Sequence, residues 1–318
     1  MLDILVIGSL NADLVVRAPR FPQPGETISG DDLLTIPGGK GANQAVAAAR
    51  QGAQVAMVGR VGSDGFGPFL VENLKSNNVD TSHILKTESA TGTAIIVVDA
   101  SGQNSIVLSA GANGNVNFQD VDSAPDAKIL LLQFEIPMDV VLRAARRYKA
   151  KGTTVILNPA PACKIPEELL TLIDILIPNE SELAALANMP VNDSASAELA
   201  AKELLERGVK TVIVTMGSKG ALLVTGVQVT QVDTYPVEVV DTTAAGDAFI
   251  GGFTSKLLAS SLESGSLLPD DIQQQAAGLQ SAVRYGCACG ALAATKFGAQ
   301  PSLPIKEEVE RFTSLRER

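Results

Sequence analysis

From residue 55 onward the chain alternates short apolar runs with helical stretches. The runs are 55–61, 129–132, 155–157, 175–177 and 211–215, and 137–149 is the clearest of the helices between them. A βα order repeated this often constrains the fold more than any other feature. Each crossover helix returns the chain to the same edge of the sheet and covers one of its faces, so the strands must pair in parallel. The expected fold is therefore α/β: a Rossmann-like, mostly parallel sheet covered by helices on both faces. Ala and Gly are abundant, which suits helices packed closely onto a sheet, and no internal repeat, linker or low-complexity tract interrupts the pattern. Residues 1–318 read as a single domain. The polar, Gly- and Ser-containing stretch 260–269 is the expected surface excursion between two helices.

One segment breaks the rhythm. Residues 14–37 contain short strand-like pieces around Phe21-Pro22-Gln23-Pro24-Gly25, too brief for a core of their own. Stretches 92–99 and 104–109 are β-branched and joined by the turn Asp99-Ala100-Ser101-Gly102. Together they predict a small sheet standing off the main one like a flap, built discontinuously from about 12–37 and 92–109.

A net charge of -10 leaves no basic face for nucleic acid or an anionic membrane, so neither is an expected partner. No apolar run reaches the ~18 residues of a membrane span, and strand-like residues 4–7 begin the chain without a basic leader. The expected location is the cytoplasm. The three cysteines, Cys163, Cys287 and Cys289, lack the partners of a zinc set and read as buried free thiols. The single histidine, His83, is expected at the surface between a helix and a strand. With no positioned imidazole, acid–base chemistry falls to carboxylates or Lys.

In a parallel sheet all C-terminal strand ends lie on one edge, where α/β folds bind ligands. Polar groups follow strand after strand: Asn11 and Asp13, then Gln133 and Glu135, then Asn158, then Asn179 and Glu182, then the loop 215–220. Asn11 and Asp13, two apart, would point the same way in an extended chain and offer an amide and a carboxylate to sugar hydroxyls; an Asx turn is the alternative. Asn179 also reads as a helix N-cap with Glu182 closing a capping box, and 215–220 as a hairpin turn.

Two Gly-rich stretches remain. Gly38-Gly39-Lys40-Gly41-Ala42-Asn43-Gln44 opens a helix, and its glycines suggest close backbone approach to a polar or anionic ligand. It is not a P-loop, because no Ser or Thr follows the Lys. Gln44 stands where a dinucleotide fingerprint needs its third Gly. Asp241-Thr242-Thr243-Ala244-Ala245-Gly246-Asp247 leads into an apolar helix. Amides at that helix start suit a phosphate, and they would depress the pKa of Asp247, leaving an ionised carboxylate as general base. The alternative is an Asp that merely complements the helix dipole.

These two Gly-rich stretches resemble the signature segments of the ribokinase-like sugar kinases, the phosphofructokinase-B-type family. The resemblance runs from Gly8-Ser9-Leu10-Asn11-Ala12-Asp13 to Gly298-Ala299-Gln300-Pro301-Ser302. Residues 38–44, Ser109-Ala110-Gly111-Ala112-Asn113 and Asn158-Pro159-Ala160-Pro161-Ala162 are similar to its ribose-phosphorylating branch. The resemblance implies ATP-dependent phosphorylation of D-ribose at its 5-hydroxyl. Asn11, Asp13, Gly39, Lys40, Asn43 and Glu135 would hold the sugar, Asp247 would be the base, and Ala245 and Gly246 would help form an anion hole. On the nucleotide side it implies Asn179, Thr215, Gly217, Ser218, Gly220, Gly246 and Cys287. Where some relatives carry a His against adenine this sequence has Cys287, so apolar packing would replace stacking. It further implies Mg2+ organised by Glu182 through water, and a K+ site at Asp241, Thr243, Ala293, Lys296, Gly298 and Ser302, mostly through carbonyls. The flap would be a lid over the sugar and would pair with the lid of a second subunit in a homodimer.

Two alternatives differ in chemistry. A nucleoside kinase or another sugar kinase of this fold would need apolar room over the sugar for a base. A sugar-sensing protein without catalysis would not need Asp247 after Gly246.

Overall fold

The computed structural model describes residues 2–264, 267–268 and 272–316. In chain order its strands are β1 (Leu2–Ile7), β2 (Asn11–Arg17), β3 (Leu34–Gly38), β4 (Val55–Gly62), β5 (Val79–Thr87), β6 (Gly92–Val98), β7 (Asn104–Ser109), β8 (Ala127–Leu132), β9 (Thr154–Leu157), β10 (Ile175–Leu176), β11 (Thr211–Thr215), β12 (Ala221–Thr225) and β13 (Val229–Val232). Its helices are α1 (Lys40–Arg50), α2 (Phe66–Ser76), α3 (Phe118–Ser123), α4 (Met138–Lys149), α5 (Glu167–Leu172), α6 (Glu180–Ala187), α7 (Ser194–Glu206), α8 (Ala245–Ser264), α9 (Ile272–Ala293) and α10 (Lys306–Ser314).

The main sheet has nine strands in the order β13-β12-β11-β10-β9-β8-β1-β4-β5. Pairing is parallel from β5 through β11 and antiparallel at β11–β12 and β12–β13. The alternation of side chains along each strand divides the apolar residues between two cores. Ile4, Val6, Ile129 and Leu131 point to the face covered by α1, α2, α8, α9 and α10. Leu5, Ile7, Leu130 and Leu132 point to the face covered by α3 to α7. The predicted doubly covered, mostly parallel sheet is the fold observed.

A second, four-stranded sheet has the order β3-β2-β6-β7, with β2 and β6 parallel and the outer pairs antiparallel. Its inner face, Val15, Ile36, Ala94 and Ile96, packs on Ala299 with Phe297 and Ala244 alongside. Its outer strand β7 is exposed throughout.

Three expectations need correction. His83 lies within β5, paired with Val58 of β4 and partly buried, because an edge strand with one partner carries too many polar residues to read as a strand. Cys163 is exposed, whereas Cys287 and Cys289 are buried; all three thiols are free. Residues 260–264 are the last turn of α8 and not a loop, while Gly265, Ser266 and Pro269 of the expected excursion lie outside the described residues. Among the described residues no helix is long and apolar enough to cross a membrane.

The helix pair that matters most for the site is α1 and α8. A Cβ on Gly251 would fall 2.4 Å from Ala47 Cβ and 2.7 Å from the Ala48 nitrogen, so the two helices touch through bare backbone. Gly251→Val is expected to lower unfolding stability by at least about 2 kcal/mol in chemical denaturation, since neither helix can yield without moving its strand. An unchanged midpoint would mean that the α1–α8 contact is loose.

Candidate active site

The N-terminus of α1 is capped from across the fold. Gly39, at φ 89°, supplies no side-chain cap. Instead the Lys40 N–H donates to Glu135 Oε2 (3.1 Å), the Gly41 N–H to Ser9 Oγ (3.3 Å) and the Ala42 N–H to the Ser9 carbonyl (2.9 Å). The Lys40, Gly41 and Ala42 amides thus find their acceptors within the protein. The glycines serve packing. A Cβ on Gly41 would lie 2.6 Å from the Ser9 nitrogen, one on Gly39 2.7 Å from the Asn11 nitrogen, and one on Gly38 2.1 Å from Asp13 Oδ2. Without side chains there, the ends of β1 and β2 lie against α1, and Asn11 and Asp13 face the lysine.

Asn11 and Asp13 sit in β2 on one face, as alternation requires, rather than in an Asx turn. Asn113, from the return leg of the small sheet, donates Nδ2 to Asn11 Oδ1 (2.7 Å). That turns the Asn11 Nδ2 toward Glu135 Oε2 (3.3 Å). Glu135 Oε2 also accepts from Ser9 Oγ at 2.5 Å, so this carboxylate braces the site as well as lining it. Burial raises Asp13 to about 7, with Glu135 and Asp247 adding to the shift and Lys40 opposing it. For Lys40 burial works against the ammonium, but Asp247, Glu135, Glu182 and Asp13 together hold its pKa above the usual lysine range.

Asp247 occupies the first turn of α8 and is buried. Its carboxylate does not cap its own helix: Oδ2 accepts from Asn43 Nδ2 and Oδ1 from Gln44 Nε2, each at 2.9 Å. Dipole complementation alone does not explain that geometry. Its pKa moves opposite to the expectation. Burial raises it above the ordinary carboxylate range, outweighing Lys40, Asn43 and Gln44, which lower it. The Ala245 amide is spent on the Thr242 carbonyl (3.1 Å), whereas the Gly246 and Asp247 amides find no acceptor among the described residues. A Cβ on Gly246 would meet nothing within 4 Å, so this glycine faces open space.

Three cavities meet on the loop 241–247, and Thr242 borders all of them. One of about 790 Å³ runs from Asp13 past Val15, Ile36, Ile96 and Ile106 of the small sheet. A second, of about 200 Å³, holds Lys40, Asn179, Glu182, Thr215, Gly246 and Asp247. The third, of about 520 Å³, is lined by Thr215, Gly217, Ser218, Gly220, Gly246, Cys287 and apolar residues including Val237 and Phe249. Asn179 and Glu182 do form the capping box of α6, with N–H to carboxylate and N–H to amide distances of 2.9 and 2.8 Å, and 215–220 does link the antiparallel pair β11–β12. Those local roles and the cavity lining coexist in the same residues. Burial raises Glu182 and Asp247 raises it further, against the Asn179 amide and Lys40. Burial pushes the Cys287 thiol up to about 12, which makes it an apolar wall rather than a nucleophile.

Behind the loop, Asp241 ties two segments together, accepting from the Thr243 N–H and the Gly298 N–H at 2.9 Å each. Among the described residues the carbonyls of Thr243, Lys296 and Gly298 accept no hydrogen bond, whereas that of Ala293 accepts from the Lys296 N–H. The Lys296 ammonium pairs with Glu308, and the buried Ser302 hydroxyl donates to the Ala299 carbonyl. Oxygen donors on neighbouring turns are the ligand type a hard monovalent cation takes.

Gln44, Gln133, Asn158 and Asn113 were not singled out as site residues from the sequence, yet they set the orientation of those that were. The available signals were their place at strand ends or in a Gly-rich stretch and, for Gln44, Asn113 and Asn158, the resemblance of residues 38–44, 109–113 and 158–162 to the sugar-kinase family.

Residues 1–306 match the sequence profile of the pfkB family of carbohydrate kinases. A ribokinase of Staphylococcus aureus (strain COL) is 40% identical over 314 residues, which is 97% of this chain and 98% of that protein. A deoxyribokinase of Salmonella typhi is 35% identical over 322 residues, 99% of this chain and 100% of that protein. The structure of Arabidopsis thaliana ribokinase complexed with ribose and ATP superposes with a TM-score of 0.86 at 34% identity, covering 98% of this chain and 99% of that one.

The raised pKa of Asp13 predicts a pH-dependent stability. Its folded value, about 7, exceeds the unfolded 3.8, so its contribution is fully present below about pH 4 and is lost as pH rises through about 7. Asp13→Asn should therefore match the parent in denaturant unfolding near pH 4. It should become more stable than the parent by up to roughly 4 kcal/mol above pH 7. A difference that stays flat between pH 4 and 8 would mean that Asp13 ionises freely.

Proposed function

The chain belongs to the pfkB family of carbohydrate kinases, and we propose that it transfers the γ-phosphoryl group of ATP to the 5-hydroxyl of D-ribose, giving D-ribose 5-phosphate and ADP. The observation that carries this reading is Asp247: a buried carboxylate clamped at both oxygens, in the smaller cavity that meets the other two at Thr242, next to two amides that find no acceptor among the described residues.

In this reading the sugar sits between the small sheet and the polar cluster. Asp13 and Glu135 accept from its hydroxyls. The Asn11 amide, turned by Asn113, donates to them, and Lys40 adds a cation. Asp247 takes the proton of the attacking hydroxyl, and its raised pKa makes it a stronger base than an exposed carboxylate. The Gly246 and Asp247 amides, at the positive end of α8, stabilise charge growing on the transferring phosphoryl oxygens; the Ala245 amide, bound to Thr242, contributes less than the sequence suggested.

The adenine side occupies the apolar cleft of Thr215, Gly217, Ser218, Gly220 and Cys287, with Asn179 in the smaller cavity that joins it at Thr215, Thr242 and Gly246. Glu182 is suited to Mg2+ because one carboxylate oxygen caps α6 and the other has no protein partner. The ion would neutralise phosphate charge. The carbonyls of Thr243, Lys296 and Gly298 with Asp241 suit K+, and that ion would stiffen the loop carrying the two free amides. We read the small sheet as a lid whose closure excludes water. Its exposed Ile106, Val107 and Leu108 on β7 would bury against a second subunit. An ATP-using enzyme with an exposed free thiol at Cys163 suits the reducing cytoplasm.

A second substrate, 2-deoxyribose, is favoured by the resemblance to a deoxyribokinase. A coupled ADP-release assay over D-ribose, 2-deoxyribose, fructose and adenosine, with and without K+, is expected to give D-ribose the highest kcat/KM and to show stimulation by K+. Faster turnover of any other acceptor by that measure would overturn the substrate assignment. Asp247→Asn is expected to cut kcat by about 10²–10⁴-fold with ATP binding retained. Near-normal turnover would remove Asp247 from the role of base.

A further inference from the structure

The two residues that clamp Asp247 are consecutive on α1 but differ in kind. Gln44 is fully buried, and each polar atom of its amide is occupied. Nε2 donates to Asp247 Oδ1 (2.9 Å) and to Asn158 Oδ1 (3.2 Å), while Oε1 accepts from Gln133 Nε2 (2.6 Å). Asn158 is oriented in turn, because its Nδ2 donates to the Ile177 carbonyl at 3.0 Å. A chain of amides thus crosses the ends of β8, β9 and β10 and terminates on the base.

The donor and acceptor ends of these amides are not interchangeable. Turning the Gln44 amide over would set its oxygen against the Asp247 carboxylate and Asn158 Oδ1, and its NH2 against the Gln133 donor. Gln133 and Asn158 therefore fix which way Gln44 faces. Gln133 bears a cost for this: its Oε1 is buried without a partner, in space that exists because residue 8 is glycine, where a Cβ would lie 2.2 Å from that oxygen. An orphaned buried carbonyl costs about 1–3 kcal/mol, and an apolar residue of the same size would avoid it. Stability alone does not explain a glutamine here.

We propose that Gln44 is a positioning residue for the Asp247 base, with its amide held in the donating orientation by Gln133 and Asn158. The inference rests on the reading of Asp247 as base. It adds that the lone-pair direction of that base is set by buried amides, of which Asn158 borders the small cavity while Gln44 and Gln133 line none of the three. The charged groups facing Asp247 from the surrounding elements are Lys40 of α1, Asp13 of β2, Glu135 after β8 and Glu182 of α6. Without the Gln44 donor, only Asn43 and Lys40 would favour its ionised form.

The test is steady-state kinetics of sugar phosphorylation across pH for Gln44→Met, Gln44→Glu, Gln133→Met, the Gln44→Met/Gln133→Met double variant and Asp247→Asn, each checked for folding by circular dichroism. Gln44→Met is expected to lower kcat by about 10–100-fold, the worth of a hydrogen bond to a charged group. Both KM values should stay within about threefold, and the acid limb of kcat/KM should move to higher pH, because a donor to the ionised form is gone. Gln44→Glu, nearly isosteric, should move the acid limb further. Gln133→Met should show a smaller loss of kcat that disappears in the Gln44→Met background, since it acts through Gln44. If Gln44→Met does not fold, Gln44→Glu and Gln133→Met decide alone, through the acid limb. Unchanged kcat and acid limb in the folded variants, or losses that simply multiply in the double variant, would overturn the inference. An inactive Asp247→Asn beside a normal Gln44→Met defeats only the positioning role, whereas an active Asp247→Asn defeats the base reading itself.

Discussion

The site depends on how closely α1 and α8 approach one another. The helices come from distant parts of the chain, yet Asn43 and Gln44 reach Asp247 at 2.9 Å each, which requires their backbones to touch beside Gly251. On its other side α8 meets α9 through equally small residues: a Cβ on Gly252 would lie 2.4 Å from Cys289 Sγ. A helix packed between two neighbours through glycines has little freedom to slide, and a shift of a single residue would displace Asp247 by about 1.5 Å. The abundance of Ala and Gly in the composition is thus part of the chemistry. It fixes where the carboxylate stands.

That rigidity supports an electrostatic arrangement that would not be stable by itself. Asp13, Glu135, Glu182 and Asp247 surround one lysine, and burial raises the pKa of Asp13, Glu182 and Asp247. Like charges crowded around a single counter-ion cost stability, and such clusters are characteristic of functional sites. Hydroxyl donors on one side and a divalent cation on the other would supply the partners this cluster lacks. The same charges that weaken the ligand-free fold would then favour binding.

The sheet was legible because its signal is repetitive. Each βα unit carries its own apolar run, and polar residues after successive strands marked the edge where the cavities lie. Individual roles were less legible, for a physical reason. A glycine that faces open space and a glycine that admits another backbone are identical in sequence; Gly39 and Gly41 lie against the backbone of residues 8–11, whereas Gly246 faces open space. The Asp247 pKa depends on the balance of burial against Lys40, Asn43 and Gln44, and burial is a property of the assembled fold. Gln44 stood out in sequence as the residue in place of a missing third glycine and as the last of a family-like stretch, with no role attached to it. Its role appears once β8 and β9 have brought Gln133 and Asn158 beside it.

The small sheet is joined to this frame at the residues that would bind sugar. Asn113 donates to the Leu10 carbonyl (3.1 Å), accepts from the Leu10 N–H (2.9 Å) and holds the Asn11 amide, so the outgoing and returning legs of the sheet are clipped together at its base. Asp64 does the same for β6, accepting from both the Thr91 N–H (2.7 Å) and the Thr91 hydroxyl (2.6 Å), while Thr91 Oγ1 in turn accepts from the Gly62 N–H. Asn11 and Asp13 therefore belong to the frame as much as to the flap. Any closure of the sheet has to be absorbed farther out along β2 and β6, where the strands leave the main body. The polar groups would remain in place beside the apolar face, Val15, Ile36 and Ile96, which is already packed on Ala299. Such a division suits a site that must keep Asn11 and Asp13 in register with Asp247 while it excludes water.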